Sequence, residues 1–316
     1  MRIFLTGASG FIGSALISEL TAAGHQVIGL VRSDASAKSL IDLGGEAHFG
    51  SLDDLDSLKA GAAKADGVIH TAFIHSFSKI SIGARLRVLL GGLPAGIALR
   101  FMTTIAKMDS DAITAMGSVL KGSDRPMVTT SGTMILTPGH IGNENDEPDP
   151  ASPAGYRTPS EKVTIELASH GVRTSIVRLP PSVHGDGDHG FVPNLIDIAR
   201  KKGVSGYANE GVNHWPSVHR LDAARLFRIA LEKGKAGARY HGVADDGIPF
   251  KEIASIIGHK LDLPIESRPE KHFGFLGGLV AADNKTSAVL TKESLGWQPQ
   301  QKSLLEDLEH GRYFKS

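Results

Sequence analysis

The feature that most constrains the fold is a glycine-rich stretch near the start of the chain, TGASGFIG at residues 6–13. The apolar run RIFLT precedes it, and apolar residues at helical spacing follow it. A strand that leads through a glycine turn into a helix opens a βαβ unit. In such a unit Gly7 permits a tight turn, and Gly13 lets the helix pack closely on the strand. The stretch therefore predicts an α/β fold built on parallel strands.

The same glycine loop predicts a binding site for a dinucleotide. Gly10 lets the backbone come close to a pyrophosphate, and the helix N-terminus offers amide groups that have no intrahelical acceptor. The positive end of the helix dipole also favours an anion at this place. We therefore expect the cofactor phosphates to contact Gly7, Ser9, Gly10, Phe11, Ile12 and Gly13.

The end of the second predicted strand indicates which dinucleotide is bound. A site for NAD normally carries Asp or Glu about 20 residues after the loop, where it accepts hydrogen bonds from the ribose. The sequence there is GLVRSD, and Arg32 stands where the acid is expected. An arginine forms charge-assisted hydrogen bonds with a 2′-phosphate, so we expect NADP(H) to be preferred. The alternative is that Asp34 holds the ribose and that NAD(H) binds.

Short β-branched runs alternate with helical patterns through the first half of the chain. The candidate strands are RIFLTG, QVIGLV, AHFG, GVIHTAF, MVTTSG and TSIVRLP. Their nearly continuous apolar character is typical of a parallel sheet that helices cover on both faces. The pattern predicts a Rossmann-type doubly wound parallel sheet, followed by a smaller C-terminal lobe that binds the substrate.

We place the dinucleotide-binding core at residues 1–177, with residues 218–244 returning to it. The smaller lobe then comprises residues 178–217 and 245–316. Residues 138–153 are rich in Pro, Asn, Asp and Gly, which predicts an irregular surface loop. The later stretch KEIASIIGHKLDLP is predicted to form an amphipathic helix.

Composition narrows the classes of partner. The chain has 34 basic and 34 acidic residues, so its formal net charge of zero gives no electrostatic reason to expect nucleic acid or an anionic membrane. We expect a small-molecule substrate instead. The chain contains no cysteine, which excludes disulfides and thiolate catalysis and suits the cytoplasm. We expect neither a signal peptide nor a membrane span, because no apolar run reaches the roughly 20 residues that a span needs.

One histidine-rich and aspartate-rich segment superficially suggests a metal site. HGDGDHG contains His184, Asp186, Asp188 and His189. Their spacing does not match that of a known ligand helix, and the glycines between the acids are typical of a loop. We therefore predict no metal site.

Taken together, these motifs resemble those of the short-chain dehydrogenase/reductase superfamily in its extended or atypical form, which includes NAD-dependent epimerases and dehydratases. The resemblance covers nearly the whole chain. It is carried by TGASGFIG, VIHTAF, VTTSGT, RLPPSVHGDG, WPSVHRLDAARL and LGWQP.

The resemblance implies contacts along the whole cofactor. Ser51 and Leu52 would lie near the adenine, and Pro180 to Val183 would lie beside the nicotinamide. The middle of the cofactor would run along Thr71, Ala72 and Phe73.

The resemblance also implies three catalytic side chains. Ser131 would hold the substrate oxygen, Tyr156 would transfer the proton, and Lys162 would lower the pKa of the phenol. In the superfamily the tyrosine and the lysine are four residues apart, whereas Tyr156 and Lys162 are six apart. The sequence therefore departs from the superfamily at the centre of its chemistry.

The residues between them predict where a helix begins. Thr158, Pro159 and Glu161 predict a helix that starts at Pro159, with Thr158 as its N-cap and Glu161 closing a capping box. Tyr156 would then precede the helix and could fold back toward Ser131. A register that pairs Thr158 with Lys162 would instead keep the lysine and lose the phenol.

These features predict an NADP-dependent oxidoreductase that reduces the carbonyl of a small, apolar molecule by hydride transfer. Two alternatives stay open: an epimerase, isomerase or dehydratase on the same fold, and a non-catalytic NADP-binding sensor or scaffold protein. Residues 78–108 are longer than one crossover helix requires, and they are interpreted as a lid over the substrate, a dimer face or plain core packing. The resemblance implies that a homodimer can form.

Overall fold

The computed structural model describes residues 1–74, 76–77, 80–93 and 96–314. Its strands are β1 (Arg2–Thr6), β2 (Gln26–Val31), β3 (Glu46–Phe49), β4 (Gly67–His70), β5 (Pro126–Gly132), β6 (Arg173–Leu179), β7 (Ser182–His184), β8 (Ser205–Tyr207), β9 (His214–His219), β10 (Ala238–His241), β11 (Asp245–Pro249) and β12 (Ile265–Ser267). Its α-helices are α1 (Phe11–Ala22), α2 (Asp34–Asp42), α3 (Leu55–Ala63), α4 (Ile82–Leu90), α5 (Ile97–Ser118), α6 (Thr158–Ser169), α7 (Phe191–Lys202), α8 (Arg220–Lys233), α9 (Phe250–Leu261), α10 (Gly277–Ala281), α11 (Val289–Leu295) and α12 (Leu304–His310).

Seven of these strands form one sheet in the order β10-β6-β5-β4-β1-β2-β3. β1 pairs in parallel with both β2 and β4, β2 pairs in parallel with β3, and β4 pairs in parallel with β5. The strand order runs one way from β1 to β3 and the other way from β4 to β10. The predicted Rossmann-type doubly wound sheet is therefore confirmed. In such a sheet, ligands bind outside the carboxyl ends of the strands where the order reverses, which here means β1 and β4.

Each of the six predicted strands is present in the structure. The fourth is shorter than predicted, because β4 ends at His70 and residues 71–73 leave the sheet. The amide of Thr71 still donates a hydrogen bond of 3.3 Å to the carbonyl of Thr6. This bond holds the chain that leaves β4 beside the glycine loop that follows β1.

The chain divides into two compact units. Unit 1 comprises Met1–Thr130, Tyr156–Ile176 and Phe227–Ala238, and unit 2 comprises Ser131–Gly155, Val177–Leu226 and the chain from Arg239 onward. The sequence-based division places residues 131–155, 218–226 and 239–244 in the dinucleotide-binding core, whereas in the structure they group with unit 2. Loop contacts of this kind leave little trace in a local sequence pattern.

The core of unit 1 forms where helices cover the sheet. Buried side chains of β1, β2 and β4, among them Phe4, Ile28 and Val68, pack against α3 and α5. Burying each such side chain contributes roughly 1.5 to 3 kcal/mol. Gly61 of α3 lies against the Phe4 ring, where a Cβ would come within 2.4 Å of ring atoms. This close approach brings α3 onto the sheet.

The core of unit 2 is organised around Trp215 of β9, which is fully buried. Its ring lies 5.0 Å from the ring of Phe250 and 6.0 Å from that of Phe191, measured between centroids. The indole nitrogen donates to the carbonyl of Leu279 at 3.1 Å. The amphipathic helix that the sequence predicts is present as α9, and it contributes Phe250 and Ile253 to this core.

Residues 138–153 form the predicted irregular loop, with one isolated bridge between Gly142 and Thr286. Glu144 fastens the loop within unit 2. Its carboxylate accepts hydrogen bonds from the amide and the hydroxyl of Thr291, at 2.7 and 2.6 Å. The loop is therefore irregular in backbone but held by buried polar contacts.

The segment predicted as surplus, residues 78–108, contributes α4 and the first half of α5. Residues 78, 79, 94 and 95 of that segment lie outside the described residues. Within the described part of the chain, no helix is both long enough and apolar enough to cross a membrane.

Asp222 fastens the start of α8 to the LGWQP motif. Its carboxylate accepts hydrogen bonds from the amides of Gln300 and Gln301, each at 2.9 Å. Its backbone carbonyl accepts a bond of 3.1 Å from the buried indole of Trp297. One aspartate thus holds the chain around a motif that lies 75 residues away.

We expect Asp222→Ala to lower the free energy of unfolding of unit 2 by about 3 kcal/mol, because it leaves amide donors without an acceptor. Tryptophan fluorescence during urea denaturation measures this loss. Asp197→Ala is the matched control, because Asp197 is an exposed acid of α7 that pairs only with Arg200 at 3.7 Å among the described residues. Its loss should stay within about 0.5 kcal/mol. Equal losses in the two variants would contradict the assigned role of Asp222.

Candidate active site

The glycine loop forms a cradle that depends on the absence of side chains. Gly7 has a φ of +76°, and an added Cβ would lie 2.7 Å from Thr71 Oγ1 and 2.8 Å from the nitrogen of Ala72. At Gly13 a Cβ would lie 2.0 Å from the carbonyl oxygen of Gly7. Both distances are far inside van der Waals contact. The loop, α1 and the segment after β4 can therefore approach one another only with glycine at these positions.

The N-terminus of α1 is open to an anion. Its N-cap residue, Gly10, has no capping side chain, and the first turn of α1 contains no acidic residue. By contrast, Ser33 caps α2 and Asp54 caps α3, and each of these helices carries an acid in its first turn. The amides of the first turn and the positive dipole end of α1 therefore fit a pyrophosphate.

The predicted phosphate residues at the loop tip are accessible. Ser9 and Gly10 are exposed, and Phe11 and Ile12 are half-buried. Gly13 is buried, as its close packing against Gly7 requires. The loop is therefore exposed at Ser9 and Gly10, where a ligand can contact its backbone, and buried at Gly13.

Arg32 directly follows β2 and is exposed. Within the described residues, no hydrogen bond or ion pair engages its guanidinium. Asp34, the alternative ligand of the ribose, is the first residue of α2, where its charge interacts favourably with the helix dipole. The structure therefore gives Asp34 a local structural role and leaves the cation of Arg32 available to a ligand.

The predicted adenine residues lie in the loop after β3. The hydroxyl of Ser51 donates to the carboxylate of Asp53 at 2.6 Å. Leu52 is half-buried and packs against the apolar clusters of unit 1. Both residues are partly accessible, and their contact with an adenine stays a prediction.

Besides the bond from the amide of Thr71, two further hydrogen bonds join Thr6 to the segment after β4. The hydroxyl of Thr71 donates to the carbonyl of Thr6 at 2.8 Å, and the amide of Ala72 donates to the hydroxyl of Thr6 at 3.3 Å. Phe73 follows, half-buried. All three predicted cofactor residues of this segment therefore lie beside the glycine cradle within unit 1.

The sequence analysis missed a buried polar network that continues from Thr6. The hydroxyl of Thr6 lies 2.7 Å from Nδ1 of His70, and Nε2 of His70 lies 3.1 Å from a carboxylate oxygen of Asp109. The side chains of His70 and Asp109 are 1% and 2% exposed. The available signal was a polar residue at the end of an apolar strand and a lone acid on the apolar face of α5.

Arg157 extends this network toward Phe73. Its Nη2 atom lies 3.7 Å from a carboxylate oxygen of Asp109 and donates to the carbonyl of Thr130 at 2.8 Å. The guanidinium carbon lies 4.1 Å from the centroid of the Phe73 ring, within the range of a cation–π contact. An arginine that the sequence analysis had not selected therefore supplies the positive charge beside Tyr156.

Asp109 is held in its ionised form. Burial opposes its charge, but the hydrogen bond from His70, the charge of Arg157 and a hydrogen bond from Ser160 outweigh burial and lower the pKa. The buried carboxylate thus balances the guanidinium of Arg157. The pair keeps a cation next to Phe73 in an apolar setting.

Tyr156 lies in the short 3₁₀ turn Gly155–Arg157, immediately before α6. Its ring centroid is 6.5 Å from that of Phe73. Burial raises the pKa of the phenol, the charge of Arg157 offsets part of this rise, and Asp109 adds to it. The phenol therefore stays protonated at neutral pH, which suits a proton donor better than a base.

The predicted helix start is wrong by one residue, and its capping box is absent. α6 begins at Thr158, its N-cap is Arg157, and no side chain caps it. Because the 3₁₀ turn runs directly into the helix, Thr158 is already a helical residue and its hydroxyl cannot serve as a cap. Lys162 is exposed and Glu161 is buried, so the acid rather than the lysine is turned away from solvent.

The remaining predicted site residues belong to unit 2. Ser131 lies near the end of β5 and is buried, and its hydroxyl has no hydrogen-bond partner among the described residues. Pro180 follows β6 and is buried, and Val183 lies in β7 and is half-buried. Their roles stay predictions. A buried hydroxyl without a partner fits a group that receives a ligand oxygen.

The residues of the HGDGDHG segment make separate contacts within unit 2. His184 Nδ1 lies 3.0 Å from the carboxylate of Asp307. The carboxylate of Asp188 accepts a bond of 2.6 Å from the hydroxyl of Tyr313, and burial raises the pKa of Asp188. These contacts tie the loop to the C-terminal part of the chain.

We expect Asp109→Ala to lower the free energy of unfolding by about 3 to 5 kcal/mol, because it leaves the charge of Arg157 and the ring of His70 without their buried partner. Far-ultraviolet circular dichroism during urea denaturation measures the loss. Asp111→Ala is the matched control on the same helix, because Asp111 makes an exposed pair with Lys107 at 2.7 Å. That variant should change stability by about 0.5 kcal/mol or less. A loss for Asp109→Ala no larger than the control would show that the network does not stabilise unit 1.

Comparison of the sequence with known proteins identifies its relatives. The model of the NAD-dependent epimerase/dehydratase family matches residues 3–89. An uncharacterized protein of Schizosaccharomyces pombe is 48% identical over 99% of this chain and 100% of its own length. A 4-hydroxy-2-methyl-3-oxo-4-farnesyl-3,4-dihydroquinoline-1-oxide ketoreductase of Stigmatella aurantiaca is 28% identical over 79% of this chain and 70% of its own.

Solved structures show the same fold. DesIV, a dTDP-glucose 4,6-dehydratase from Streptomyces venezuelae with NAD bound, superposes with a TM-score of 0.72 at 18% identity. The match covers 100% of this chain and 97% of that one. Members of the family are NAD(P)-dependent enzymes, among them oxidoreductases, epimerases and dehydratases. The chain belongs to the NAD-dependent epimerase/dehydratase family, within the extended short-chain dehydrogenase/reductase superfamily.

Proposed function

We propose that the protein is an NADP-dependent oxidoreductase that reduces the carbonyl of a small, apolar molecule. The observation that carries the proposal is the phenol of Tyr156, which is held protonated beside Phe73 and a guanidinium. Phe73 belongs to the same segment as Thr71 and Ala72, which contact the glycine cradle. The similarity to a ketoreductase from Stigmatella aurantiaca agrees with this direction of reaction.

The preference for NADP rests on the end of β2. Arg32 is exposed there, and its charge suits a 2′-phosphate. The acid nearest to it, Asp34, already lies in the first turn of α2. DesIV is described with NAD, so the preference proposed for this chain rests on its own residues and not on that neighbour.

The chain would supply the proton and the binding groups of the reaction. When bound, the reduced nicotinamide supplies the hydride. Tyr156 donates the proton to the oxygen of the substrate. The hydroxyl of Ser131, which has no hydrogen-bond partner among the described residues, stays a candidate for donating a hydrogen bond to a substrate oxygen. A buried hydroxyl without a hydrogen-bond partner is destabilising, and a hydrogen bond to a substrate oxygen would remove that penalty.

In this proposal Arg157, and not Lys162, supplies the positive charge that lowers the pKa of the Tyr156 phenol. Burial raises the pKa of Tyr156, and the guanidinium of Arg157, which lies over Phe73, offsets part of that rise. Lys162 is exposed on α6. We therefore expect removal of the Arg157 charge to change the pKa of the Tyr156 phenol, and removal of the Lys162 charge to leave it unchanged.

A second candidate is an epimerase or dehydratase that returns the hydride to its product. The family model and the fold of DesIV favour it. An assay that follows both product and NADPH separates the two candidates. Stoichiometric loss of NADPH supports the reductase, and product formation without net loss of NADPH supports the second candidate.

A third reading is a non-catalytic NADP-binding protein. Tight cofactor binding together with unchanged turnover of a carbonyl panel in Tyr156→Phe would support it. We expect instead that Tyr156→Phe lowers kcat by at least about a hundredfold, since general acid catalysis contributes about 10² to 10⁴.

Arg32→Ala should raise the Kd for NADPH by about ten- to a hundredfold and change the Kd for NADH by less than about threefold, because it removes a charge-assisted contact that only a 2′-phosphate can make. Isothermal titration calorimetry measures both constants. Asp34→Ala is the matched control and should leave NADPH binding within about threefold. If Asp34→Ala weakens NADH binding and Arg32→Ala leaves NADPH binding unchanged, the ribose ligand is Asp34 and the proposed preference is wrong.

The rate of carbonyl reduction should stay constant from about pH 6 to about pH 9 and fall only at higher pH, because the donor must be protonated and burial raises the pKa of Tyr156 from that of an ordinary phenol. Arg157→Gln removes a charge that lowers this pKa, so the fall should move to still higher pH. Arg157→Lys keeps the charge and should leave the fall near its original place. Steady-state kcat against pH measures all three proteins.

Lys162→Ala serves as the control for that series. Its exposed side chain should leave both the plateau and the alkaline fall unchanged. A pH profile that shifts in Lys162→Ala and stays constant in Arg157→Gln would return the role of the cation to the lysine.

A further inference from the structure

Helix α4 presents its apolar residues to solvent. Ile82, Leu86, Leu89 and Leu90 are exposed, and they occupy one stripe of about 100° around the helix. Ile82 is 73% exposed and Leu90 is 78% exposed. Of the 16 exposed large hydrophobic residues in the described chain, six lie between Ile82 and Leu99. The apolar face of this helix therefore points away from the core, which is the reverse of an ordinary surface helix.

The opposite side of α4 fixes this orientation. Val88 is buried and packs with Ile74, Ile80 and Ile105. The carbonyl of Val88 accepts a hydrogen bond of 2.8 Å from Arg100. The helix is therefore held by its narrow inner face, with its wide apolar stripe turned outward.

The chain around α4 is strongly basic. Residues 67–108 contain no Asp or Glu, and their basic residues are Lys79, Arg85, Arg87, Arg100 and Lys107. Of these, Lys107 is paired with Asp111, beyond the end of the segment. The whole chain, by contrast, has equal numbers of acids and bases. The net charge of zero is thus an average that hides a long segment of positive charge.

Two of these arginines flank the apolar stripe. At about 100° per residue, Arg85 falls on one side of the stripe and Arg87 on the other. Arg87 is exposed, and Arg85 donates to the carbonyl of Ile80 at 2.9 Å. Leu93, 81% exposed, and Leu99, 69% exposed, are two further exposed leucines that follow the helix in the chain.

We propose that the surface formed by Ile82, Leu86, Leu89, Leu90 and Leu93, with its flanking arginines, docks on an anionic lipid membrane. An amphipathic helix with leucines on one face and arginines at its edges lies in the plane of a bilayer interface and is attracted to anionic headgroups. At 1.5 Å per residue, α4 is far too short to cross the roughly 30 Å of hydrocarbon. The surface therefore lies on a membrane and does not span it.

The positive charge of this surface favours an anionic membrane over a second copy of the chain as its partner. Two copies that met through this surface would bring Arg87, in a segment without Asp or Glu, against the same segment of the partner, and like charges repel. An anionic bilayer offers hydrocarbon to the leucines and negative headgroups to the arginines at the same time. This inference does not rest on the proposed carbonyl reduction.

Co-sedimentation with vesicles tests the proposal. The purified full chain is mixed with vesicles of phosphatidylcholine and phosphatidylserine at about two to one, and with vesicles of phosphatidylcholine alone. We expect binding to the anionic vesicles, weaker binding to the neutral ones, and a fall in binding as salt is raised. Leu86→Ser with Leu90→Ser should weaken binding by at least about a hundredfold, and Arg87→Gln by about fivefold.

The matched control is Ile41→Ser with Val212→Ser. These side chains are 59% and 70% exposed, comparable with the 51% and 78% of Leu86 and Leu90, but they lie away from α4. The control should bind anionic vesicles as the unchanged protein does. Light scattering after size-exclusion chromatography reports the oligomeric state of every variant.

Three outcomes overturn the proposal. The unchanged protein could fail to sediment with either kind of vesicle, or the double leucine variant could bind as well as the control. A change of the double leucine variant from dimer to monomer, without vesicle binding by the unchanged protein, would show that a second copy covers the surface.

Discussion

The close contact between Gly13 and the carbonyl of Gly7 sets the arrangement of unit 1. A Cβ at Gly13 would lie 2.0 Å from that oxygen, so α1 could not lie where it does with any larger residue. The same loop meets Thr71 and Ala72 at Gly7. Because the loop fixes both α1 and the end of β4, it also fixes Thr6, and through Thr6 the buried chain of His70 and Asp109. A contact between two backbones thus determines where the charged groups of unit 1 lie.

The fold could be predicted well because its signals are local. The sequence signals of the glycine loop, the apolar strands and helix α9 each lie within a few neighbouring residues, and each element is present in the structure. The preference of parallel strands for short, right-handed crossovers limits the strand orders that such a pattern can adopt. The position of residues 131–155 in unit 2 depends on contacts such as that of Glu144 with Thr291, which lie 147 residues apart.

The candidate site could be predicted only in part. The cradle is local, but the network behind it joins His70 to Asp109 across 39 residues and Arg157 to Thr130 across 27. The orientation of Lys162 depends on the residue at which α6 begins, and a shift of one residue turns a helical side chain by about 100°. The capping sequence at Thr158 does not set the first residue of α6, because the preceding 3₁₀ turn continues directly into the helix.

The burial of both tryptophans in unit 2 has a spectroscopic consequence. The chain contains two tryptophans, Trp215 and Trp297, and both are fully buried in that unit. Their emission reports the solvent exposure of unit 2, whereas the environment of the glycine cradle contributes no indole signal. A change of intrinsic fluorescence on binding of a nicotinamide cofactor would therefore not arise from contact with a tryptophan of unit 1.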